Sequence, residues 1–315
     1  MLTIENILFP TDFTPRAEDA FSHAVHLAHQ HNARIHVFNV VTPDEADQTN
    51  PMDYLSLEES GGALVLTAED VDLPGPPQPK MNVEIVYHKM EGVSPAKEIV
   101  EYVAEHNVDL VVMGTHGRQG LDRLLSGSVS EEVVRQSTCP VFTVLGRDEP
   151  QPGPEIQSVL APVDFSEPAR LGLAHARELA QVYDATLDLM HIVEDVVFPS
   201  VYGIDPIAPQ LPDVQQRAAE ALERMADEVI GGAVPTNLHV IAGYAARDII
   251  DFADENDTGL IAMATHGRTG LERFLIGSVT EKVIRSASCP VFTVKPFGKS
   301  LLPASVLSSD ADAAS

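Results

Sequence analysis

Short unbroken apolar runs alternate along this chain with stretches whose apolar residues recur every three or four positions. Ile7-Leu8-Phe9 has the character of a buried strand, and it breaks at Pro10. Thr14-Pro15 then predicts an N-cap followed by a proline in the first helical turn. Ala17, Ala20, Phe21, Ala24, Leu27 and Ala28 keep helical spacing behind it. Arg34 to Val41 and Val83 to Tyr87 alternate as strands do, and Ser94-Pro95 opens a second helix reaching about His106. Leu110 to Met113 fits a central parallel strand, Val129 to Gln136 a last helix, and Val141 to Val144 a closing strand. Strands alternating with helices in this order predict an α/β fold with a doubly wound parallel sheet.

The whole pattern occurs twice. Residues 109–144 fall on 259–294 without a gap and are identical at 22 of 36 positions. Pro10-Thr11-Asp12-Phe13-Thr14 recurs as Pro162-Val163-Asp164-Phe165-Ser166, shifted by 152 rather than 150. Such self-similarity marks a tandem duplication. It gives two repeated domains, 1–146 and 156–297, joined by a polar, proline-bearing linker at 147–155. The second repeat adds a clear helix from about Asp213 to Ile230. The first holds an irregular acidic stretch from Pro43 to Lys80, expected to be a partly ordered insertion with the character of a lid. Residues 298–315, rich in Ser, Ala and Asp, are expected to form a flexible tail.

Charge narrows the partners. Forty-seven acids against 20 Lys and Arg give the 315-residue chain a net charge of −27. A field of that sign repels nucleic acid and anionic membrane surfaces, so neither is an expected partner. It favours solubility, and with only six lysines it also fits a salty cytoplasm. No run reaches the roughly 18 apolar residues of a spanning helix. The N-terminus lacks the basic start and cleavage site of a signal peptide, which predicts a cytoplasmic protein. Cys139 and Cys289 stand alone, each before Pro-Val-Phe-Thr-Val, and are expected to be buried structural thiols rather than metal or redox groups.

Ligands of open parallel sheets bind beyond the C-terminal ends of the strands. After Leu110–Met113 comes Gly114-Thr115-His116-Gly117-Arg118-Gln119-Gly120, and then Gly127-Ser128-Val129 at a helix start. Glycines let backbone N–H groups approach a phosphate closely, and the free N–H groups of a helix N-terminus favour an anion. A competing explanation is local. Ser128-Val129-Ser130-Glu131 and Ser278 to Glu281 both fit a capping box, serine at the N-cap and glutamate three residues on. Capping accounts for the serines, not for four glycines in one loop.

The pattern Gly-x2-Gly-x9-Gly-Ser, filled by Gly114, Gly117, Gly127 and Ser128, resembles the ATP-binding signature of the universal stress protein family. The resemblance covers nearly the whole chain, because every motif recurs in the second repeat. It implies five strands per repeat in the order 3-2-1-4-5, and pairing of the repeats through Val141–Val144 and Val291–Val294 as an intramolecular pseudo-dimer, with a homodimer of chains left open. Carried onto this sequence, it implies adenine nucleotide contacts from Thr11, Asp12, Val40, Gly114, Gly117, Arg118, Gly127, Ser128 and Val129. In the second repeat the matching positions are Val163, Asp164, Ile192, Gly267, Arg268, Gly277, Ser278 and Val279. Asp12 and Asp164 would accept hydrogen bonds from ribose or adenine, or else close a local Asx turn. Val40 and Ile192 would read adenine through their backbones. Arg118 and Arg268 either approach the phosphates or stay in solvent, and His116 and His266 shape the loop rather than act as bases. Ala264 stands where the first repeat has Gly114. A methyl there predicts a weaker second site, unless the position has ordinary strand geometry.

The expected function is ATP binding by a stress-response or regulatory protein acting on a protein partner the sequence does not name. A slow ATP hydrolase or nucleotidyl-transfer enzyme is the alternative. Against it, neither glycine segment holds a lysine or a Gly-x4-Gly-Lys-Ser/Thr loop, so no catalytic residue and no metal site are assigned, and Mg2+ would arrive with the nucleotide. A scaffold that binds no nucleotide is the third reading.

Overall fold

The computed structural model describes residues 1–14, 17–43, 83–115, 129–146, 155–194, 211–267 and 276–303. The expected lid, the linker, the Gly117–Ser128 stretch of the first loop and the end of the tail lie outside these residues. The chain forms two compact units, one from Met1–Glu155 with the segment from Phe292 onward, the other from Ile156 to Val291.

Unit 1 runs β1 (Asn6–Pro10), α1 (Glu18–His31), β2 (Arg34–Val41), β3 (Ile85–Glu91), α2 (Pro95–Glu105), β4 (Leu110–Gly114), α3 (Val129–Gln136) and β5 (Val141–Val144). Its strands are parallel in the order β3-β2-β1-β4-β5, as the family resemblance implies. The central strands are apolar because helices cover both faces. Ile7, Leu8, Leu110, Val111 and Val112 are fully buried. Each such side chain contributes about 1.5–3 kcal/mol relative to exposure. Helix α1 starts later than its sequence signal, at Glu18 with Ala17 at the cap and no side-chain cap, and the Thr14 hydroxyl donates to Asp12.

Unit 2 repeats the plan with β6 (Ser158–Pro162), α4 (Glu167–Tyr183), β7 (Thr186–Glu194), α5 (Leu211–Val229), β8 (Thr236–Gly243), α6 (Ala245–Glu255), β9 (Leu260–Ala264) and α7 (Ser278–Ser286). Strands β8, β7, β6 and β9 lie in that order, all parallel. Here the cap does form. Ser166 accepts from the Ala169 N–H at 3.3 Å.

The last strand, β10 (Val291–Val294), lies beside β5, and the Thr293 hydroxyl donates to the Val141 carbonyl at 3.2 Å. Residues Lys295–Leu302 continue along unit 1 rather than fraying. Lys295 Nζ donates to the Arg135 and Ser137 carbonyls at the C-terminal end of α3, both at 2.7 Å, where a cation complements the helix dipole. Lys299 Nζ sits 2.5 Å from Asp109 Oδ1, while Asp109 Oδ2 accepts the Glu5 and Asn6 N–H groups. Leu301 and Leu302 are buried, and the Leu301 carbonyl accepts the Thr3 N–H. Composition concealed this docking, because two lysines and two leucines do the work among small polar residues. Both cysteines are buried, and burial pushes the thiols up to about 11 for Cys139 and about 12 for Cys289, which keeps them protonated and inert.

Candidate functional site

The residues after β1 and β6 form the same turn twice. Asp12 Oδ1 accepts the Thr14 N–H at 3.1 Å and its hydroxyl at 2.8 Å. Asp164 Oδ1 does the same with Ser166, at 3.1 and 2.5 Å. These are Asx turns, the local reading of the two acids, and they fix where each carboxylate stands. The intervening Phe13 and Phe165 take φ of 57° and 61°, a left-handed conformation that a bulky residue adopts only when its surroundings impose it.

Two further side chains impose it. Asn39 Nδ2 donates to the Thr11 carbonyl at 2.9 Å, and at the equivalent place His191 Nδ1 lies 2.8 Å from the Val163 carbonyl. The Thr11 and Val163 N–H groups donate to the Phe38 and Met190 carbonyls. Each acid-bearing turn is therefore pinned at both backbone groups to the neighbouring strand. Val40 and Ile192 follow immediately, paired in register with Met90 and Ile241. Sequence reasoning passed over Asn39 and His191. Their signal was one polar residue at the same register in two otherwise apolar strand ends.

In unit 2 the second motif reaches the first. Gly267 lies against Asp164 so closely that a Cβ there would collide with the carboxylate. Two segments about a hundred residues apart in sequence thus meet at the strand ends, which places Val163, Asp164 and Gly267 together. At the start of α7 the Gly277 N–H donates to the Thr265 carbonyl at 2.8 Å and the Thr280 hydroxyl to the Ala264 carbonyl at 3.1 Å. Gly277 occupies the cap position, and no side chain caps the helix. The capping box expected at Ser278–Glu281 does not form, because Ser278 is the first helical residue and is exposed. Its hydroxyl and the N–H groups of Ser278, Val279 and Thr280 open the first turn, the donor set an anion takes. Buried His266 lies 2.8 Å by Nδ1 from the Thr265 hydroxyl.

In unit 1, Thr11, Asp12, Val40, Gly114 and Val129 hold the equivalent places. Gly117, Arg118, Gly127 and Ser128, like Arg268 in the second repeat, lie outside the described residues. Among the described residues no cluster of His, Cys, Asp and Glu is arranged for a metal ion.

Ala264 has a structural explanation. It ends β9 with ordinary strand geometry, and Gly114 ends β4 without a positive φ. The backbone objection to alanine therefore falls. Helix α4 crosses this strand end at Gly172, where a Cβ would meet the Ala264 nitrogen at 2.9 Å. The equivalent pair in the first repeat is Ala20 and Gly114.

The model of the universal stress protein family matches residues 3–144 and again 155–295. The chain belongs to the universal stress protein family. A universal stress protein of Methanocaldococcus jannaschii is 33% identical over 142 residues, 44% of this chain and 82% of that protein. One of Mycobacterium tuberculosis is 31% identical over 205 residues, 64% of this chain and 66% of that protein. Among solved structures, a universal stress protein from Archaeoglobus fulgidus superposes with a TM-score of 0.61 at 21% identity, covering 94% of this chain and 97% of that one. A Pseudomonas aeruginosa protein of unknown function does so at 0.65 and 17%, covering 99% and 97%. These two likenesses establish the fold. Among the described residues no helix of this universal stress protein is long and apolar enough to cross a membrane.

Proposed function

We propose that the chain is an ATP-binding regulatory protein with a nucleotide site at the strand ends of each repeat and no residue dedicated to catalysis. The observation that supports this reading is the contact of Asp164 with Gly267, two residues after Thr265, whose carbonyl holds the uncapped start of α7. A carboxylate held by its turn offers acceptors to ribose or adenine hydroxyl and amino groups, and the helix start offers donors to phosphate. Mg2+ would come bound to the phosphates and water. Nucleotide occupancy would alter the contacts made with a regulatory protein partner.

Gly267→Ala tests the reading, because its Cβ displaces the Asp164 carboxylate. Titration of the nucleotide-free protein with ATP and Mg2+ should show one of two sites weakened at least about 10-fold, which is 1.4 kcal/mol. Unchanged binding at both sites contradicts it. Binding of no nucleotide by the parent protein replaces the proposal with a scaffold.

A further inference from the structure

Unit 1 carries a stack of imidazole and phenol rings between β2, β3 and α2. The His36 and His88 rings lie parallel with centroids 5.8 Å apart, and Tyr102 meets both edge-on at 5.8 and 5.2 Å. His106 stacks on Tyr102 at 3.8 Å and lies 6.0 Å from His88. Both ring nitrogens of His36 are engaged. Nδ1 lies 2.8 Å from the Tyr102 hydroxyl and Nε2 3.2 Å from Asn6 Oδ1. Neutral imidazole suits that arrangement, donating from Nε2 and accepting the phenol proton at Nδ1. The phenol keeps its proton, since burial pushes Tyr102 up to about 12. A proton added at Nδ1 would evict that hydrogen bond. Among the described residues the buried His88 Nε2 has no hydrogen-bond partner, so a charged His88 would hold an N–H that none of them satisfies.

Unit 2 has the same position built with opposite chemistry. Asp188 replaces His36, and its Oδ1 accepts from Asn237 Nδ2 at 3.0 Å and from His239 Nε2, the counterpart of His88, at 2.9 Å. Phe252 replaces Tyr102 and meets His239 edge-on. Protonating His239 turns its hydrogen bond into an ion pair.

We infer that the β2–β3–α2 layer of unit 1 is an acid-sensitive switch which loosens when His36 and His88 take up protons, while the matching layer of unit 2 stays closed. Among the described residues, charged groups face the pair from β2, from the start of β3 and from α2. On β2, Arg34 opposes a charge on His36. At the start of β3, Glu84 favours one but is paired with Arg34 at 2.6 Å. His106 on α2 opposes charge on both rings. Glu98, Glu101, Glu105 and Lys89 line a cavity of about 280 Å3 bordering the stack, and Glu101 and Glu105 are exposed, so water screens them. From β1 the neighbour is the uncharged Asn6. Burial holds His36 down at about 4 and lowers His88 as well. A histidine lowered in the closed state is neutral there and protonated once open. The layer is therefore fully stabilised above the ordinary 6.5 and loses stability as pH falls toward about 4.

The loosening would reach the strand whose Asn39 pins the Asp12 turn, yet its test does not depend on nucleotide. Hydrogen exchange of the full chain, corrected for intrinsic rates, compares peptides from 83–106 with those from 234–256. Between pH 7 and 4.5 the first set should exchange about 10- to 100-fold faster and the second should change far less. His36→Asp should abolish the excess acid response of the 83–106 peptides over the 234–256 peptides. The reciprocal Asp188→His, which leaves unit 1 intact, should create one in unit 2. Parallel loosening of both sets, no loosening of the first, or an unresponsive Asp188→His variant each overturns the inference.

Discussion

Asn39 and His191 illustrate how a single buried polar side chain sets a site it does not itself form. Each ties the carbonyl of the residue before the acid to the neighbouring strand, so the left-handed phenylalanine that follows has nowhere else to go. Asn39→Ala leaves the Thr11 carbonyl short of a donor and should lower stability by about 1–2 kcal/mol in urea unfolding, while His191→Asn should be nearly neutral. Gly298 is more tightly constrained. Its φ is +137°, and a Cβ would lie 2.5 Å from the Thr138 carbonyl. Gly298→Ala should cost about 1–3 kcal/mol by the same measurement. Neither effect was legible in the sequence, since an asparagine at a strand end and a glycine after the last strand are both ordinary in isolation. The two acids were legible as a repeated Pro-x-Asp, and the structure shows that Oδ1 of each closes a local turn.

At the scale of elements, the repeat made α3, β4 and β5 readable almost to the residue, because their apolar runs are bounded by glycine, proline and a helix-start signature. The cap of α7 was misplaced for a physical reason. Ser278 and Glu281 have capping-box spacing, but the Gly277 N–H already closes on Thr265, which moves the helix start one residue back. The Gly172–Ala264 contact gives the sharpest test of element packing. A Cβ at Gly172 would meet backbone, the Ala264 nitrogen at 2.9 Å and the Met263 carbonyl carbon at 3.3 Å, which no rotamer change relieves. Gly172→Ala should lower stability by about 1–3 kcal/mol in urea unfolding. An unchanged midpoint would mean that α4 has room to shift off β9.

For the molecule as a whole, charge and buried histidines set the conditions under which it survives. A net charge of −27 repels itself, so added salt should raise the unfolding temperature. Burial lowers His23 to about 3 and His175 to about 4 at equivalent places on α1 and α4, and His36 to about 4. All are neutral when folded and charged when unfolded. Stability should therefore be greatest above about pH 6.5 and decline steadily below it, as thermal unfolding across pH 4 to 8 will show. The sequence disclosed two repeats and their parallel sheets because periodicity and self-similarity survive local variation. The docking of residues 295–302 stayed hidden because long-range pairing of Lys299 with Asp109 leaves no local pattern.

The account rests most heavily on a nucleotide site in each repeat, and the count of ATP bound per chain addresses it directly. Calorimetric titration of the emptied protein with ATP and Mg2+ should reach two per chain, and Gly127→Val or Gly277→Val should each bring the count to one. One per chain in the parent protein would return Ala264 to the role of a disabling substitution. No heat of binding at all would contradict the account, leaving the glycines to loop geometry alone.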